Sequence, residues 1–128
     1  MPLVRISLLK GKSPEHVRAV ADGVHAALVE TYVVPPDDRF QLIDQYEPGT
    51  FVYDPDYLGI HRTDDLVMVQ ITANATRDTA TKQALYKAIV ERLTRDPGLR
   101  PEDVMIAITP NQPEDWSFGH GLATYVKG

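Results

Sequence analysis

Leu3-Val4-Arg5-Ile6-Ser7 and Met68-Val69-Gln70-Ile71-Thr72 stand 65 positions apart and share one apolar pattern. The same shift carries Ser13 onto Asp78, Pro36-Asp37-Asp38 onto Pro101-Glu102-Asp103, and Ile43 onto Ile108. Few residues are identical, but the order of strand, cap, helix, turn and strand recurs, and an ordered recurrence of this kind marks a structural repeat. The first unit opens with a short apolar run, Leu3 to Leu9, which reads as a strand. Ser13 follows, then Pro14 and Glu15: a hydroxyl cap, a first-turn proline and an acid near the positive helix end. Val17, Val20, Val24, Leu28 and Thr31 fall on one helical face. Val34-Pro35-Pro36 ends the helix, because the residue before a proline is driven out of helical geometry. Arg39 to Tyr46 is the next strand.

The second unit repeats the scheme. Leu66 to Thr72 reads as a strand, Asp78 as the cap of a helix carrying Leu85, Ile89 and Leu93, and Pro97-Gly98 as its stop. Val104 to Thr109 closes the unit. A strand–helix–strand unit implies a parallel pair with a right-handed crossover. The expected fold is α/β (α+β): two β-α-β repeats, about residues 2–46 and 66–109, forming a four-stranded core sheet with two helices on one face. All 128 residues are expected to form one domain.

Two segments lie outside the repeat. Residues 47–65, with Gly49, Pro55 and Gly59, read as loop with room for a short hairpin. The tail, residues 110–128, places Trp116, Phe118 and Tyr125 in a stretch too short to bury them alone, so they must cover this core or a neighbour's. A sheet with helices on one face leaves the other open, and self-association is the usual remedy; a homo-oligomer is expected.

Composition narrows the function. Apolar residues make up 43% and charged residues 24% of the chain, ordinary values for a globular protein. The net charge is -5, with no basic stripe to neutralise phosphates, so a nucleic-acid partner is not expected. No apolar run approaches the roughly 20 residues that span a bilayer. No secretory leader is read at the beginning. Cysteine is absent, which removes disulfides, thiol catalysis and thiolate-bound metals and fits a cytoplasmic protein. His16, His25, His61 and His120 show no metal-ligand spacing, so no metal is expected. Gly11-Lys12-Ser13 lacks the upstream glycine of a phosphate loop.

Pro2 is the first candidate for chemistry. Removal of Met1 leaves it with a free secondary amine, the only state in which a proline nitrogen can gain or release a proton. An α-amino group titrates near ~8. Burial lowers that value and makes a general base; a nearby carboxylate raises it and makes an acid or a cationic polariser. The strand that begins at Pro2 would hold the amine on a rigid element. Met-Pro at a chain start is also common without any catalytic meaning.

MPLVRISLLKG, the two strand–helix–strand units, VPPDDRFQ and DWSFGHG together resemble the tautomerase superfamily, and within it the malonate semialdehyde decarboxylase-like branch. The likeness spans nearly the whole chain. It implies a homotrimer with active sites at subunit contacts, no cofactor, and a small anionic oxo-acid or enol substrate. It implies that Pro2 and Asp38 are the catalytic pair, Asp38 keeping the amine protonated or activating water, and that Trp116 and Phe118 form an aromatic wall, with Tyr125 a weaker match. The branch's two substrate-gripping arginines correspond to Asn74 and Thr76, and neutral side chains cannot give an arginine's bidentate, charge-assisted grip. Either Arg77, one residue on, anchors the carboxylate, or the substrate differs. Asp38 has a structural reading as well, since acids after Pro-Pro are common turn residues and Asp103 shares its context. Arg39 and Arg62 read as surface ion-pair partners. The competing overall reading is a non-enzymatic trimeric binding or structural module with the same fold.

Overall fold

The computed structural model describes residues 2–126. Its elements run β1 (Leu3–Leu9), α1 (Pro14–Tyr32), β2 (Phe40–Tyr46), β3 (Val67–Asn74), α2 (Thr79–Arg95) and β4 (Val104–Asn111), with three short 3-10 turns between or after them. The four strands form one sheet in the order β2-β1-β3-β4. β1 is parallel to β2 and β3 is parallel to β4, each as a helix-connected pair, while β1 and β3 run antiparallel at the centre. Leu3 faces Phe40 and Val67 faces Val104, so both pairs have the same register and the repeat read in the sequence is a structural one.

Both expected caps form. Ser13 accepts a hydrogen bond from the His16 N–H, and Asp78 accepts one from the Thr81 N–H, satisfying donors that a helix start leaves orphaned. At the far end of α1, Val33 adopts a left-handed conformation (φ 56°, ψ 39°) and the Val34 N–H reaches back to the Leu28 carbonyl. The helix thus ends one residue before Val34-Pro35-Pro36. A β-branched residue pays a steric penalty in this region, and glycine is the usual occupant.

Alternation along β1 and β3 sends Val4, Ile6, Leu8, Val67, Val69, Ile71 and Ala73 to the helical side, where they pack with Val20, Val24, Leu28, Leu85, Ile89 and Leu93. Tyr32, not Thr31, completes the buried face of α1; Thr31 turns its hydroxyl back to the Ala27 carbonyl. The two helices approach closely at Gly23, where a Cβ would lie 2.8 Å from Leu93 Cδ2. The opposite face of the sheet carries Ser7, Met68, Gln70, Met105 and Ala107, with Tyr46, Phe51 and Val52 beside them around an open depression of about 340 Å³.

The element limits depart from the sequence reading by a residue or two. β2 begins at Phe40, where pairing with Leu3 starts, and β3 and β4 run on to Asn74 and Asn111, which stay paired. Residues 47–65 contain no hairpin: the Arg62 guanidinium gathers the carbonyls of Asp54, Tyr57 and Ile60 into a compact loop, supplying partners that a hairpin would have supplied by strand pairing. No helix is long and apolar enough to cross a membrane among the described residues.

Candidate active site

The antiparallel register of β1 and β3 places Leu3 opposite Thr72, so the residue before β1 meets the end of β3. That residue is Pro2, and it is buried. It lines a cavity of about 120 Å³ with Tyr32, Val33, Val34, Pro35, Ala73, Asn74 and Arg77. Three segments far apart in sequence thus meet: the chain start, the end of α1, and the β3–α2 connection. Pro2, Asn74 and Arg77 were candidates from the sequence alone; Tyr32 and Val33 were not.

Arg77 is held in a set position. One guanidinium N–H donates to the Tyr32 carbonyl at 2.7 Å and another to the Thr76 hydroxyl at 2.7 Å. Its guanidinium carbon lies 4.9 Å from the centroid of the Tyr32 ring. Such stacking suits the flat, weakly hydrated guanidinium. Two of the five donors a guanidinium carries are occupied among the described residues. Burial pushes the Tyr32 phenol above its ordinary value of 10.0, Tyr86 adds to this, and Arg77 opposes it. Thr76 lies outside the cavity lining and serves Arg77 instead.

Asp38 stands on the turn that follows α1. Its N–H donates to the Pro35 carbonyl at 2.9 Å, and Pro35 lines the cavity. The turn is also tied to α1, since a ring nitrogen of His25 lies 2.8 Å from the Pro36 carbonyl. Asp38 itself is half-buried and outside the cavity lining. It lies close enough to Tyr125 to act on it: burial raises that phenol above 10.0, and the Asp38 carboxylate raises it further.

β4 ends beside β3, with Asn111 opposite Asn74, so the tail leaves the sheet next to the cavity. Trp116 Nε1 donates to Asn74 Oδ1 at 3.0 Å. The Trp116 and Phe118 rings stack at 5.1 Å and 10°, and Phe118 lies edge-on to Tyr125 at 5.3 Å and tilted against Phe40 at 6.0 Å. This aromatic stack borders the cavity through Asn74; Trp116 and Phe118 do not line it. Phe118 and His120 line a separate, shallow depression in the tail.

The other charged candidates have structural partners. Arg39 pairs with Asp22, and Arg62 holds its own loop. His61 pairs with Asp56. No group of three His, Cys, Asp or Glu able to hold a metal occurs among the described residues. His25 and Tyr32 are the structural supports that sequence reading missed. Tyr32 had a signal, the helical step of four from Leu28; the contact of His25 with Pro36 had none, because it depends on how the chain turns back.

A small cavity at the ends of paired β-α-β units is thus lined by both Pro2 and the tethered Arg77. Comparison with known proteins gives the family. Two models described as tautomerase enzyme match, one over residues 38–119 and one over residues 2–60. The chain is similar to the Bacillus subtilis (strain 168) proteins named probable tautomerase YusQ, at 42% identity over 99% of this chain and 100% of the relative, and probable tautomerase YrdN, at 32% over 100% and 98%. Among solved structures it is similar to a malonate semialdehyde decarboxylase inhibited by 3-bromopropiolate, at 42% identity and TM-score 0.90 over 96% of this chain and 93% of that one. A second malonate semialdehyde decarboxylase, solved in wild-type, mutant and inactivated forms, matches at 32% identity and TM-score 0.90 over 96% and 95%. The chain belongs to the tautomerase family of enzymes, in the neighbourhood of its decarboxylase-like members.

Proposed function

We propose that this enzyme acts, without a cofactor, on a small oxo acid or its enol, using the secondary amine of Pro2 after Met1 has been removed. Met1 lies outside the described residues. The amine moves a proton at the carbon beside the carbonyl, or, when protonated, polarises the carbonyl. Asp38 tunes that amine and assists with proton or water activation. Arg77 anchors the substrate carboxylate in place of the arginine pair that Asn74 and Thr76 replace, and Trp116 and Phe118 back the site from behind Asn74 rather than lining the cavity. Tautomerisation, and the decarboxylation or hydration of a malonate semialdehyde-type substrate, are the reactions this machinery serves. Proton transfer of this kind needs only an amine and a carboxylate.

The observation that carries this reading is that Pro2 and Arg77, far apart in sequence, line the same cavity. The decarboxylases it resembles at 32% and 42% identity point the same way. We place the enzyme in the cytoplasm, in keeping with its lack of cysteine. We further propose a homotrimer. The uncovered sheet face with Met68, Met105, Phe51 and Val52, and the exposed Leu122 and Val126 of the tail, are surfaces that neighbouring subunits would cover.

Ketonisation of enolised phenylpyruvate and decarboxylation of a β-oxo acid test the reading. Intact mass should show the chain starting at Pro2. Pro2→Ala should lower kcat by at least about 100-fold, and Arg77→Ala should raise KM for the anionic substrate by at least about 10-fold while changing kcat less. Equal rates for the parent and Pro2→Ala, or a retained Met1 in the active protein, would sink it.

A further inference from the structure

Asn74 does not merely fill the place of an arginine. Its side chain is held by Trp116, whose indole N–H can only donate. The atom of Asn74 that meets it, at 3.0 Å, is the oxygen. Flipping the amide would set its NH₂ against the indole N–H, losing a hydrogen bond and opposing two donors. The indole is itself restrained, stacked on Phe118 at 5.1 Å, with Phe118 in turn against Phe40 and Tyr125. Asn74 Nδ2 makes no hydrogen bond among the described residues, and Asn74 lines the cavity shared by Pro2 and Arg77.

We infer that Trp116 is a positioning residue that fixes the Asn74 amide with its NH₂ toward the Pro2 cavity, where Asn74 donates a hydrogen bond to the carbonyl oxygen of a 2-oxo acid or its enol. This rests on the proposed Pro2 chemistry for its catalytic consequence, but not for its binding consequence. The two cavity donors then divide the substrate. Arg77, permanently charged, suits the carboxylate. Asn74, neutral and preoriented, suits an oxygen whose charge changes during the reaction. When the amine removes the proton beside the carbonyl, the C–H electron pair forms the enolate double bond and negative charge moves onto that oxygen. In the reverse direction the proton returns to carbon and the charge leaves. A donor already aimed at the oxygen stabilises the charged form without reorganising. A carboxylate would instead find only one fixed donor at this position, so the site favours a single carboxylate next to a carbonyl over a dicarboxylate.

Trp116 is the sole tryptophan, so its indole N–H gives a single unambiguous signal in a ¹H–¹⁵N spectrum. Titration of the full chain with phenylpyruvate should shift the Asn74 side-chain NH₂ pair. The shift should persist in Pro2→Ala, which removes turnover but not the donor, and should be lost or averaged in Trp116→Phe, which keeps an aromatic ring but has no N–H to hold the amide. In ketonisation of enolised phenylpyruvate, Asn74→Leu and Trp116→Phe should each lower kcat by about 10- to 100-fold with a smaller change in KM, and the double variant should be no worse than the worse single. Losses that multiply, or an Asn74 NH₂ pair that stays in place on addition of phenylpyruvate, overturn the inference. If the parent shows no turnover but the Asn74 pair moves, the Pro2 chemistry fails and the assignment of Asn74 as the carbonyl donor stands.

Discussion

Asp38 and Asp103 occupy the same place in the two repeats, yet only Asp103 is sealed inside the protein. Its carboxylate, with no solvent exposure, accepts hydrogen bonds from both the N–H and the hydroxyl of Thr63 at 2.7 Å each, with an Arg100 nitrogen 3.6 Å away. Asp38 is half-buried on the turn beside the Pro2 cavity. One position of the repeat has become a brace for the loop before β3. The other lies close enough to the tail to act on Tyr125.

The two aspartates should therefore separate in their effects. Asp103→Ala removes the buried acceptor of both Thr63 hydrogen bonds and should destabilise the fold by about 1–3 kcal/mol. Asp38→Asn should change stability by less than about 1 kcal/mol and lower kcat at least about tenfold. Denaturant unfolding and steady-state kinetics on both variants check this. An Asp103 variant as stable as the parent would refute the brace.

Gly23 is where α1 and α2 meet, and Gly23→Ala sets two effects against each other. Replacing a mid-helix glycine gains up to about 1 kcal/mol. The new methyl would lie 2.8 Å from Leu93 Cδ2, and Leu93 is fully buried, so overpacking of about 1–3 kcal/mol opposes the gain. Overpacking should win and Tm should fall. In a Leu93→Ala background the clash is absent and the same substitution should raise Tm. A rise in both backgrounds would show that the helices have room to separate.

His16 gives the fold a pH dependence of known sign. Burial holds its imidazole below the ordinary 6.5, and Lys12 adds to this, while Asp65 and Asp96 partly offset it. The unfolded chain therefore binds a proton at His16 more readily than the folded one. Stability is unaffected by this group well above 6.5 and is lost as the pH falls below it. His16→Gln should flatten the fall in unfolding free energy between neutral and mildly acid pH. An unchanged slope in urea titrations across that range would place the proton uptake elsewhere.

The sequence by itself determined the architecture. Period-two apolar runs, the Ser13 and Asp78 caps, and the helix stop before Val34-Pro35-Pro36 are local instructions, and the shift of 65 repeats them. Such signals act over a few residues, so they are legible without knowing the fold. Pro2, Asn74 and Arg77 were legible as candidates, two of them only through a family likeness. What the tertiary structure decided was their meeting. The antiparallel centre of the sheet brings the start of β1 to the end of β3, and no local pattern encodes that pairing. The roles of Tyr32 as the seat of Arg77 and of Trp116 as the lock on Asn74 likewise came from contacts between residues 45 and 42 positions apart. The burial that separates Asp103 from its repeat mate Asp38 has the same origin. Identical local sequence logic places both, and only the surrounding packing, through desolvation and the donors it supplies, makes one of them structural.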